Sequence, residues 1–196
     1  MSGSNVIRLA CAAAVLAFGT AALAQTSIMK ERFTFAALNG SKAGPAGGNR
    51  LELVVNRWSS DAERDRVYSA IADNVQDKLA DALAALPEAG YIHWPGNLEY
   101  IVRYANRIPR PDGGEDVVLG ADAPLSLWWD PSISTPSTSP RFTVIQLRLS
   151  KDGRGEGKLS LATKVIASKE TKTFALEDYA RQPAILTDVQ RERTSS

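Results

Sequence analysis

Beyond residue 24 this chain of 196 residues contains no cysteine; its single one is Cys11. Residues 25–196 therefore form no disulfide, even in a compartment that permits one. The fold must rest on an ordinary hydrophobic core. A chain of about 150 residues can build one, burying roughly 70% of its unfolded surface. One globular domain over residues 25–196 is the expectation. Histidine is almost as scarce, with His93 alone. Zinc centres commonly use several His or Cys ligands, so a zinc site here would need carboxylates for the rest. A Ser-His-Asp triad would have to use His93, and no G-x-S-x-G turn is present to raise a serine. His93 is expected on a short strand between Ile92 and Trp94, partly covered.

A charge imbalance is missing too. The chain has 23 Lys and Arg against 22 Asp and Glu, and without Arg8 the two balance. Nucleic-acid binders usually carry a basic stripe. Here acids and bases intermix, as in Asp61-Ala62-Glu63-Arg64-Asp65-Arg66, which is the pattern of a solvated helix face. Nucleic acid is excluded as a partner on this reading. Electrostatic attachment to an anionic membrane is disfavoured for the same reason. No membrane span is expected, because the apolar run Leu9–Phe18 falls well short of the about 20 residues a spanning helix needs.

That run is informative in another way. Arg8 precedes it, and Ala22-Leu23-Ala24 follows as an A-x-A cleavage site, so residues 1–24 read as a cleaved signal peptide with Gln25 as the new N-terminus. Cys11 lies near the start of the apolar run. A lipid-modified cysteine belongs at its far boundary, so Cys11 reads as a small apolar residue of the signal. The expected location is exported, periplasmic or extracellular.

Alternation marks the first strands: Phe33, Phe35 and Ala37, then Leu51, Leu53 and Val55. Between them Asn39–Arg50, with four glycines and a proline, reads as a loop. One helix is expected over about residues 60–86. Ser60 and Glu63 form a capping box, and Val67, Ile71, Val75, Leu79, Leu83 and Leu86 line one face. Asn74 is a candidate break, and Pro87 and Gly90 end the helix. The remainder reads as strands and turns. Tyr91–Trp94 is short. Leu98–Tyr104 and Val117–Leu119 flank a Pro111-Asp112-Gly113-Gly114 turn. Leu125–Trp129 precedes a proline-rich loop, Asp130–Pro140. Phe142–Leu149 and Leu159–Ile166 flank a turn over Lys151–Gly157, and Phe174–Leu176 and Ile185–Val189 come last. The sum is an α+β fold with a predominantly antiparallel sheet or partial barrel of about nine strands and one helix packed on it.

The chemistry-bearing patterns are sparse. The carboxylates of Asp112–Asp116, and of Asp152 with Glu156, lack the alternating series of an EF-hand loop and suit plain turns. Neither glycine-rich stretch has phosphate-loop spacing. No cofactor and no metal are expected, and no catalytic residue stands out. The aromatics are the most suggestive group. Trp94, Tyr100, Tyr104, Trp128 and Trp129 lie close in sequence, and Tyr100 and Tyr104 share strand parity, which predicts one common face. An exposed rim of them would suit a small apolar or sugar-like ligand; the alternative is that they build core.

At Arg57-Trp58-Ser59-Ser60-Asp61-Ala62-Glu63-Arg64 the chain resembles a group of exported bacterial proteins sharing R-W-S-[ST]-D-A-E-R. Further matches fall at Gly90-Tyr91-Ile92, Gly155-Glu156-Gly157-Lys158-Leu159, and Leu176-Glu177-Asp178-Tyr179 with Gln182-Pro183. The resemblance implies export and a shared fold, and carries no activity with it. The expectation is a non-enzymatic protein that binds a ligand or another envelope protein. Two alternatives stand beside it: a hydrolase using carboxylate or serine chemistry without histidine, and a periplasmic assembly or structural factor.

Overall fold

The computed structural model describes residues 30–39, 42–43, 50–72, 76–93, 99–123, 125, 142–160, 165–168, 173–176 and 184–194. Its elements in chain order are β1 (Lys30–Asn39), β2 (Lys42–Ala43), β3 (Leu51–Val55), α1 (Asp61–Ala72), α2 (Gln76–Ala84), β4 (Gly90–His93), β5 (Tyr100–Pro109) and β6 (Glu115–Ala121). Then follow β7 (Thr143–Leu149), β8 (Arg154–Ser160), β9 (Val165–Ser168), β10 (Thr173–Leu176) and β11 (Ala184–Thr194). Antiparallel ladders run from β1 through β3, β4, β5, β6, β7 and β8 to β11. β11 pairs back onto β1, from Lys30↔Thr194 to Leu38↔Ile185. Eight strands thus close into an up-and-down barrel, a form in which closure removes the sheet edges. β2 extends the end of β1, and β9 with β10 forms a separate hairpin. The expected antiparallel, barrel-like α+β fold is the observed one.

An eight-stranded barrel is just wide enough inside for side chains to fill it. Period-two alternation supplies them: Phe33 and Phe35 from β1, Leu51 and Leu53 from β3, Val117 and Leu119 from β6, Leu147 and Leu149 from β7. Phe33, Phe35, Leu53, Leu119 and Leu149 each have 0% of their surface accessible, so no water-sized void lies against them. Full burial of each is worth about 1.5–3 kcal/mol. A second apolar layer lies outside the wall, where Val67 and Ile71 of α1 and Leu79 and Leu83 of α2 cover Tyr104, Val118 and Val144. Elsewhere the outer wall carries charged side chains alongside the exposed Ile101 and Ile185. Arg148, Arg154 and Glu156 are exposed, and Arg32 pairs with Glu52 at 3.3 Å.

Three expectations need correction. The single helix is two, α1 and α2. Apolar residues four apart drift by about 40° per step in an α-helix, or about 160° from Val67 to Leu83, so one straight helix cannot hold both ends of the stripe on the barrel. Asn74, the candidate break, lies outside the described residues. Second, β8 starts at Arg154, inside the stretch expected to be a turn. Gly155 and Gly157 are strand glycines: a Cβ at Gly155 would collide with the Arg148 carbonyl oxygen, and one at Gly157 would sit 2.6 Å from Leu147 Cδ2. They admit the close approach of β7 and β11. Third, Tyr100 and Tyr104 face opposite sides. A bulge between Val102 and Tyr104 inserts one residue into β5, which reverses the parity beyond it. Tyr100 packs on the lumen cluster and Tyr104 on the helix layer. The inserted Arg103 bonds Asp122 at 2.9 Å and the Leu86 carbonyl at 3.4 Å, tying the end of the helical layer to the wall.

The closing seam has its own fastening. β1 and β11 shift register between Thr34 and Ala36, and Asp188 takes φ 53 there, a region Asp tolerates better than most residues. Arg50 bonds the Asp188 carboxylate, the Asp188 carbonyl at 2.7 Å and the Thr34 carbonyl at 3.0 Å. One side chain from the start of β3 thus spans both seam strands. Within the expected loop Asn39–Arg50, the structure adds the short β2. The expected signal, residues 1–24, and the loop Asp130–Pro140 lie outside the described residues.

Candidate functional site

The two ends of the barrel differ. At the first end lie the starts of β1, β4, β6 and β8, the ends of β3, β5, β7 and β11, and the tight turns 110–114 and 150–153. The segment Arg57–Arg64 also starts here. Backbone N–H groups of Asn56 and Arg57 bond the Ala89 carbonyl at 2.8 and 3.2 Å. Ser59 then imitates a strand residue: its N–H donates to the Ala105 carbonyl at 2.8 Å, and its Oγ accepts from Ala105 N–H at 3.0 Å. Trp58 between them packs against the lumen cluster.

Arg57 works as a hub. It bonds both Glu63 oxygens, at 2.9 and 3.0 Å, and the carbonyls of Pro87 and Glu88, each at 2.9 Å. The bidentate guanidinium holds the Glu63 carboxyl below the usual carboxylate range, against the opposing effect of its partial burial. Glu63 also accepts from Ser60 N–H at 2.8 Å, while Ser60 Oγ accepts from Glu63 N–H at 3.4 Å. The expected capping box is present and is tied to the barrel through Arg57.

Inside the same end sits a cluster that the lumen's apolar pattern does not announce. Glu31 shares inward parity with Phe33 and Phe35 and is 3% accessible. Arg107 Nη2 lies 3.2 Å from one of its oxygens, and Arg191 Nη1 lies 3.9 Å from the other. Arg191 also pairs with Glu115. Arg107 stacks over the Trp58 ring, its Cζ 4.3 Å from the centroid, a contact worth about 0.5–1 kcal/mol. Two acids and two arginines thus balance one another beneath Trp58. Sequence reasoning named Trp58 in a shared stretch and Glu115 among the turn carboxylates, and missed the cluster they form with Glu31, Arg107 and Arg191. The readable signal was the inward parity of Glu31.

The second end carries the remaining connections: residues 40–50, 94–99, 122–142 and 161–183. Thr143 Oγ1 accepts from Leu125 N–H at 2.9 Å and donates to the Ala123 carbonyl at 2.9 Å, fixing the exit from β6. His93 is half-buried on β4, its Nδ1 3.8 Å from Glu99 Oε1. Of the aromatic candidates, Tyr100 is half-buried at this end, while Tyr104 is fully covered beneath the helices. Those two are not brought together. Trp94, Trp128 and Trp129 lie outside the described residues. In sequence Trp94 follows β4 directly, and Trp128 and Trp129 fall between β6 and β7.

The turn carboxylates have local partners. Asp112 accepts from Gly114 N–H at 3.0 Å and from Arg110 at 2.8 Å. Asp152 accepts from Ser150 Oγ and from Arg154 N–H at 3.3 Å. These contacts lower both carboxyls, the Gly114 amide leading at Asp112 and the Ser150 hydroxyl at Asp152. Among the described residues no group of three or more His, Cys, Asp or Glu is placed to hold a metal ion, and no helix is long and apolar enough to cross a membrane. No family model matches the chain, and neither a curated protein nor a solved structure matches it.

Proposed function

We propose that this chain is an exported, non-enzymatic binding protein that engages a small ligand or another envelope protein at the second end of its barrel. The carrying observation is topological. Four connections leave the barrel at that end, where Tyr100 is half-buried, and in sequence Trp94, Trp128 and Trp129 fall within two of them. Loops on a rigid scaffold are the usual seat of recognition. The opposite end is occupied by Trp58 and the compensated charges beneath it, and the lumen between is filled. The exposed Arg148 and Arg154 on the outer wall support a barrel that faces water, since each Lys or Arg on a lipid-facing wall costs about 2–4 kcal/mol at the bilayer midplane. A hydrolase would need paired acids facing a cleft; Glu31 and Glu115, inside the first end, pair with Arg107 and Arg191 instead.

Native mass spectrometry of the exported protein tests this reading. The expected result is a mass starting at Gln25 with a co-purified ligand or partner. That partner should be lost on joint Trp128→Ala and Trp129→Ala substitution and kept on Lys151→Ala at the opposite end. Retention of the partner by the double tryptophan variant would overturn the assignment of the site, and an unprocessed N-terminus would overturn export.

A further inference from the structure

We draw no further inference here: the strongest candidate, the Glu31–Arg107–Arg191–Glu115 cluster beside Trp58 at the first end of the barrel, balances its own charges, and nothing among the described residues points to a ligand for it.

Discussion

Replacing Glu31 by alanine probes the least expected feature of the barrel. Glu31 is almost wholly buried, between Arg107 at 3.2 Å and Arg191 at 3.9 Å. Its loss removes the carboxylate that Arg107 and Arg191 share, while Glu115 stays paired with Arg191. Breaking a buried ion pair by removing one partner costs about 3–5 kcal/mol, because the remaining charge stays desolvated. Arg107 is partly exposed and water can reach it, so the low end applies, about 3 kcal/mol. For a chain of this length each 1 kcal/mol moves Tm by about 2–4 °C, which gives a fall of about 6–12 °C. Urea unfolding should show a lower midpoint at unchanged slope. Glu31→Gln keeps the volume and an acceptor and should cost less. The loss should also persist in high salt, since buried pairs are poorly screened. A Glu31→Ala variant within about 1 kcal/mol of the parent would refute the idea that these charges hold the end of the barrel.

The other predictions concern packing and protonation. Gly157→Ala should destabilise by about 1–3 kcal/mol through overpacking against Leu147 and Leu186; an unchanged Tm would contradict the close approach of β7 and β11. Tyr104→Ala should cost about 3–5 kcal/mol, as for a buried aromatic, and Tyr100→Ala distinctly less; equal costs in chemical denaturation would contradict the bulge in β5. The Arg57 guanidinium holds the folded-state pKa of Glu63 below its ordinary value. Its contribution is therefore complete above about pH 4.5 and disappears as pH falls through the folded value. Arg57→Ala should flatten that acid limb in a pH series of melting curves, and an unaltered limb would show that Arg57 is not its source.

Local elements were legible because local physics makes them. The alternation of Phe33, Phe35 and Ala37 and of Leu51, Leu53 and Val55 became β1 and β3. The Pro111–Gly114 turn joins β5 to β6, and Ser60 with Glu63 caps α1. The glycines of 153–157 misled, since glycine serves both turns and strands crowded by neighbours. Tyr104 misled because a one-residue bulge leaves no mark in the alternation pattern. The candidate site was legible only as a gathering of aromatics in sequence, and the structure separates Tyr104 from Tyr100.

The sequence by itself determined which short segments alternate, which turn and which cap, and that the apolar faces required an antiparallel cover. These follow from side-chain periods of two and 3.6 and from hydrogen bonds reaching a few residues. Tertiary structure alone decided that β11 returns to β1, that Trp58 stacks with Arg107, and that Glu31, Arg107, Glu115 and Arg191 share one end of a lumen. Those partners come from four strands spread along the chain. Their meeting depends on barrel closure and register, which no local pattern encodes.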